Sequence, residues 1–175
     1  MTDSTNKGGR TSRRFARMLA VQALFRREAN PAEPLSDDKT FFRTELAAAG
    51  RPLPKDESLY TQTPAINVDD AQDQAASGPF SERQQEQLAL FAEELLDAAM
   101  GHREEIDAKI QAVAKNWTLS RMAATDRNVL RLAVAELDYF PTPRSVVINE
   151  AVELAKNFGE AESGSFVNGI LGRIE

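Results

Sequence analysis

Arg10, Arg13, Arg14 and Arg17 stand at i, i+3, i+4 and i+7 near the start of the chain. On a helix that spacing stacks side chains along one face. A guanidinium offers a planar fork of donors that grips a phosphate with two bonds, and it stays charged at any ordinary pH. Four on one face is therefore a chemistry suited to a polyanion such as RNA. A plain solvated helix face fits the same pattern. Against it, like charges at i, i+4 repel, and cations at a helix N-terminus oppose the helix dipole. A bound polyanion relieves both penalties. Thr11 or Ser12 can cap such a helix. If the helix reaches Arg10, all four arginines share its face; if it starts after Ser12, Arg10 lies beside the other three. Residues 1–10, small, polar and glycine-bearing, are expected to be a flexible N-terminal arm.

Charge is unevenly spread. The net charge is −6 and the pI is near 5.0, yet residues 1–27 hold seven basic residues and one acid. Residues 28–107 hold six basic and eighteen acidic residues, and residues 108–175 hold eight of each. Nucleic-acid binding over the whole surface is disfavoured, whereas a localised basic patch is not.

Little else in the composition could do chemistry. Without cysteine there is no disulfide, thiolate nucleophile or cysteine metal site. The single histidine, His102, argues against a histidine metal site or a catalytic triad and reads as a partly packed surface residue. No glycine-rich phosphate loop or nucleophile–base pair is present. Glu150 and Glu153, three apart, read as surface residues of an amphipathic helix rather than paired catalytic carboxylates. The expectation is a binding protein with no catalytic residues, metal or cofactor. No apolar run approaches the ~20 residues of a membrane span, and the polar, basic N-terminus lacks the apolar stretch of a secretory signal. The expected location is the cytoplasm.

The elements that position these residues are helical. From Arg13 to Ala29, Phe15, Met18, Leu19, Leu24 and Phe25 make a broad apolar face. Thr40–Ala49 is a short helix docking Phe41, Phe42 and Leu46. Residues 50–80, rich in Pro, Asp and Gln, read as a disordered insertion. Ser81 and Gln84 form a capping box, followed by the stripe Leu88, Phe91, Leu95, Ala99. Gly101 marks a bend, after which Ile106, Ile110 and Val113 continue. Trp117, the only tryptophan, reads as a core plug. Thr125 caps the next helix, with Leu130, Ala133, Val134 and Leu137 buried, and Pro141 and Pro143 stop it. The last stretch, RSVVINEAVELAKNFGEAESGSFVNGILGRI, is a helical hairpin. Val147, Ala151, Leu154 and Phe158 line its first helix, Gly159 ends that helix with positive φ, and Ser163 caps the second, which carries Phe166, Ile170 and Ile174. Six or seven helices without a strand predict an all-α fold. Residues 11–175 form one domain, with an N-terminal helical half at 11–115 and a C-terminal half at 116–175.

Three blocks carry a family resemblance: RRFARMLAVQALFR at Arg13–Arg26, the stretch from Trp117 to Leu137 with TDRNVLRLAVAEL, and Val146–Leu171 with VVINEAVELAKNFG and FVNGIL. In this order they resemble the NusB family of transcription antitermination factors. The resemblance implies two small helical bundles packed together. It implies binding of boxA-type single-stranded leader RNA jointly with the ribosomal protein NusE. It further implies joining other Nus factors on RNA polymerase to promote antitermination of ribosomal RNA transcription. Arg10, Arg13, Arg14 and Arg17 would contact RNA, with Glu162 at an acidic RNA-side position and Phe166 meeting a base. Periodicity with Ile170 instead places Phe166 in the core. Phe25 and Asp126 align with the NusE interface. Where the family often has histidine and lysine before FVNG, this chain has Gly164 and Ser165, which removes positive charge. The fold also heads a ribosomal RNA methyltransferase, but a chain ending at Glu175 is expected to be the standalone factor, a monomer or homodimer. The alternative is a protein-binding helical scaffold whose arginines pair with an acidic partner.

Overall fold

The structure, a computed structural model, describes residues 7–29, 38–48 and 80–174, with backbone alone for 7–12 and 39. Every regular element among the described residues is helical, as the patterning predicts. In order these are α1 (Lys7–Ala29), α2 (Asp38–Ala48), α3 (Glu82–Gly101), α4 (Arg103–Val113), a 3₁₀ turn at Leu119–Arg121, α5 (Ala124–Tyr139), α6 (Arg144–Phe158) and α7 (Ser163–Leu171). The stretch read as an insertion at 50–80 lies outside the described residues except for Phe80, whose ring packs 5.8 Å from that of Phe15.

The organising helix is α5. Residues Val129 to Glu136 are buried without a break, which marks a helix covered on all sides. Helices α1 and α3 pack on it, as do α4, α6 and α7, while α2 packs on α3 and α1. One continuous core results, running from Phe15 and Leu19 through Leu95, Leu96, Leu130 and Val134 to Val147, Leu154 and Leu171. Local signals hold where they depend on neighbours in sequence. The Ser81 hydroxyl accepts from the Gln84 amide and the Gln84 side chain accepts from the Ser81 amide at 2.9 Å. The chain bends between Gly101 and Arg103.

Five expectations need correction. Helix α1 starts at Lys7, so Lys7–Arg10 are helical instead of belonging to an arm; once nucleated, a helix extends at little expense per residue. Helix α5 starts at Ala124 with Ala123 at its cap and no side-chain bond, which puts Thr125 inside the first turn. Ser163 is the first residue of α7, not its cap; its hydroxyl accepts from the Glu160 amide at 2.9 Å. Gly159 has φ −99°, so it is not there for positive φ. A Cβ would stand 2.3 Å from Ser163 Oγ and 2.7 Å from the Ala155 carbonyl oxygen, so crowding is what requires glycine. Trp117 is 49% exposed; Leu119 and Met122, just beyond it, fill the adjoining core instead.

Candidate nucleic-acid interface

The first turns of α1 sort the arginines into different roles. Arg13 is exposed and makes no ion pair among the described residues; its guanidinium lies 5.3 Å from the centre of the Phe91 ring. Arg14 is partly exposed and grips Glu150 with two bonds, Nε to Oε2 at 2.7 Å and Nη2 to Oε1 at 2.9 Å. Those bonds push its pKa above the ordinary value, and they fix the direction of the guanidinium while leaving part of its fork to solvent. Arg17 is 4% exposed. Its Nε and Nη2 donate to the buried Glu136 at 2.7 and 2.6 Å. The expected row of four phosphate-gripping arginines is thus corrected at Arg17, which turns inward because the α1 stripe that buries Phe15 and Leu19 also faces α5. The backbone of Arg10 is helical, and its side chain lies outside the described residues.

At the α6–α7 turn, Glu162 is exposed and accepts from the Ser165 hydroxyl through its carbonyl oxygen at 2.9 Å and its carboxylate at 3.2 Å. Phe166 is half-buried. It packs against the core, yet its ring meets the exposed Trp117 edge-to-face with centres 5.9 Å apart. Gly164 is buried beneath the Lys156 side chain, whose Cγ would be 2.8 Å from an added Cβ. The Lys156 ammonium itself pairs with Glu153 at 2.9 Å.

The two residues aligned with a partner interface differ. Phe25 is 47% exposed on α1, a large apolar ring in water. Asp126 is buried, one carboxylate oxygen has no hydrogen-bond partner among the described residues, and it faces Ser163 and Glu160 of the α6–α7 turn. Burial raises its pKa, against a smaller lowering by the Ser163 hydroxyl. The structure does not present Asp126 as a contact residue alongside Phe25, because the first turn of α5 directs it towards α7.

Three carboxylates organise this surface, and one corrects an expectation: Glu150, read from the sequence as a surface residue, is buried because it faces Arg14 of α1. Glu136 and Glu150 are buried acids holding Arg17 and Arg14. The visible signal was an acid inside an apolar stripe, as in VAEL and NEAV. Glu28 receives Arg127 at 3.2 and 3.0 Å, Asn128 at 3.1 Å and Arg131 at 2.6 Å, tying the C-terminal end of α1 to α5. Among the described residues no cluster of side chains could hold a metal ion, and no helix is long and apolar enough to cross a membrane.

Known proteins share this sequence and fold. A family model described as the NusB family matches residues 65–175, which take in α3 to α7. The transcription antitermination protein NusB of Myxococcus xanthus (strain DK1622) is 56% identical over 85 residues, 48% of this chain and 61% of its own length. The chain thus spans about three-fifths of the length of the curated relatives it matches. The NusB structure from T. maritima aligns over 93% of this chain and 89% of its own, with TM-score 0.61 and 28% identity. A chain from a crystal structure of the antitermination factors NusB and NusE in complex with dsRNA aligns over 94% of this chain and 96% of its own, with TM-score 0.62 and 25% identity. With the family match running through α3 to α7, the chain belongs to the NusB family.

Proposed function

We propose that this chain is an RNA-binding transcription antitermination factor. In this reading it binds boxA-type leader RNA together with ribosomal protein NusE and promotes antitermination of ribosomal RNA transcription. The observation that carries the reading is the exposed Arg13, which makes no ion pair among the described residues, beside a partly exposed Arg14 whose direction is fixed by Glu150, at the basic end of an acidic protein. The relative crystallised with NusE and dsRNA supports it, since this chain shares that fold.

The mechanism is assembly, not turnover. Arg10, Arg13 and Arg14 hold the RNA backbone, Phe166 offers a ring face at the α6–α7 turn next to Glu162, and Arg17 acts only by holding α1 to α5. Phe25 provides the apolar centre of the NusE-facing surface, with Asp126 shaping the neighbouring turn from beneath. Few phosphate contacts make for weak binding alone, and a partner bound at the same time strengthens it by raising effective concentration. The RNA-bound pair then joins other Nus factors and RNA polymerase.

Fluorescence anisotropy tests the reading, with labelled boxA RNA, a scrambled RNA of equal length, and NusE present or absent at two salt concentrations. The expected result is a preference for boxA that NusE tightens and that Arg13→Ala/Arg14→Ala weakens. Equal binding of the two RNAs with NusE present would overturn it.

A further inference from the structure

We propose that the small cavity where the end of α1, the α3–α4 bend and α5 meet is a chloride site, with Arg27 and Arg103 holding the ion. It goes beyond the RNA-binding reading and stands or falls separately from it.

The cavity measures about 20 Å³, and Arg27, Glu28, Arg103, Asn128 and Arg131 are among its lining residues. One water-sized body needs ~10–15 Å³, so a single-atom occupant fits and a phosphate or carboxylate does not. Asn128 and Arg131 are buried. The Arg27 Nε is buried as well and has no hydrogen-bond partner among the described residues, while its Nη2 donates to Asp38. A buried donor left unbonded is costly, and this one belongs to the wall of a space with room for an acceptor.

The chemistry of the occupant follows from the acceptors already spent. Among those side chains the acceptors are Glu28 and Asn128. The Glu28 Oε1 accepts from Arg127 Nε at 3.2 Å and Arg131 Nη1 at 2.6 Å, and its Oε2 from Arg127 Nη2 at 3.0 Å and Asn128 Nδ2 at 3.1 Å. A carboxylate has about four lone-pair sites, so none remains for a further donor. The Asn128 Oδ1 is itself met by Arg131 Nη1 at 3.4 Å. A water would accept from Arg27 and find at most the Asn128 oxygen for its two hydrogens, whereas chloride only accepts.

Charge points the same way. Arg27, Arg103, Arg127 and Arg131 face Asp38, Glu28 and Asp107, four cations against three anions. The surplus falls on Arg103. Its Nη2 stands 3.7 Å from Glu28 and its Nε 3.8 Å from Asp107, both too long for hydrogen bonds. About half of this side chain is in water, which gives an ion a way in. The charge of Glu28 is offset by the two guanidiniums bonded to it, and the positive surroundings hold its pKa down to about 2 despite burial. One monovalent anion completes the balance.

The experiment measures the excess linewidth of the chloride NMR signal in the presence of the full chain, with chloride titrated against potassium glutamate at constant ionic strength. Broadening that saturates, is displaced by bromide, is lost in Arg27→Met and Arg103→Gln, and persists in the remote Arg121→Gln supports the site. Equal broadening in wild type and all three variants is diffuse attraction to surface cations and overturns it. Crystals soaked in sodium bromide give a second readout. An anomalous peak within hydrogen-bond distance of Arg27 Nε is expected, and an ordered water without such a peak overturns the proposal. A peak without broadening in solution is binding at crystal concentration only and overturns it as well. Helical circular dichroism checks that Arg27→Met folds. Arg103→Gln, which removes only two long ion pairs, keeps the test decisive if Arg27→Met does not.

Discussion

Arg17 and Glu136 meet inside the core as a two-pronged pair, Nε and Nη2 against the two carboxylate oxygens at 2.7 and 2.6 Å, with each side chain almost wholly covered. They are 119 positions apart and join the middle of α1 to the last turns of α5. Removing one partner of such a pair strands the other charge in a medium that solvates it poorly. Arg17→Ala should therefore lose about 3–5 kcal/mol of stability, a large share of the ~5–15 kcal/mol typical of a domain. Replacing both with apolar residues, Arg17→Met with Glu136→Leu, should recover most of it. Urea denaturation of the three proteins checks this. A wild-type midpoint for Arg17→Ala coupled with lost RNA affinity would return Arg17 to the RNA.

Arg13 and Arg14 should separate under the same measurements. Arg13 is exposed, makes no ion pair among the described residues and lies over the Phe91 ring, so Arg13→Ala should change stability by no more than about 0.5 kcal/mol. It should still weaken RNA binding and lower the salt slope by about one. Arg14→Ala leaves the buried Glu150 without its cation and should lose both affinity and stability. Parallel anisotropy and thermal melts distinguish the two; equal behaviour would mean that the Glu150 pair contributes nothing to the fold.

The contrast between those arginines also marks what the sequence could show. Burial imposes a 3.6-residue period, so stripes such as Val147, Ala151 and Leu154 were legible, and so was the capping box of Ser81 and Gln84, whose partners are three residues apart. Arg13, Arg14 and Arg17 are one residue type on one helix. Whether each faces water or core depends on Glu136 and Glu150, more than a hundred positions away, and no local pattern carries that. Trp117 misled for the opposite reason: its type argues for burial, while its exposure follows from Leu119 and Met122 filling the core beyond it. Gly159 was found at the helix end for the wrong cause, since its neighbour Ser163 comes close only once the hairpin has closed.

The two glycines of that hairpin should respond differently to one added methyl. In Gly159→Ala the Cβ meets a backbone carbonyl at 2.7 Å and Ser163 Oγ at 2.3 Å, and the carbonyl cannot move without opening α6. A loss of about 1–3 kcal/mol is expected, as for overpacking in a core. In Gly164→Ala the obstacle is the Lys156 side chain, which can swing into solvent, so the loss should be smaller. Pairing Gly164→Ala with Lys156→Ala should remove even that. Thermal melts of the three variants give the order, and a Gly164→Ala protein less stable than Gly159→Ala would show that Lys156 is held rigidly.

Glu28 makes the fold sensitive to acid. Burial alone would raise its pKa, but the hydrogen bonds and charges of Arg127 and Arg131 outweigh it and bring the value down from 4.5 to about 2. A carboxylate whose folded pKa is depressed contributes stability that is complete above the unfolded value and is lost as pH falls through the folded one. The window is therefore from about pH 4.5 down to about pH 2. At ~1.4 kcal/mol per pKa unit the contribution is at most about 3.5 kcal/mol, reduced by solvent screening of a side chain that is one-fifth exposed. Asp126 acts in the opposite sense: its raised pKa means that its charged form weakens the fold at neutral pH, and protonation relieves this. Glu28→Gln should flatten the loss of stability between pH 4.5 and 2, because an amide cannot titrate. Asp126→Asn should raise stability at pH 7 and leave that acid limb intact. Urea midpoints of wild type and both variants from pH 7 to pH 2 test the pair. An acid limb unchanged in Glu28→Gln would place the acid-sensitive contact elsewhere than the α1–α5 junction.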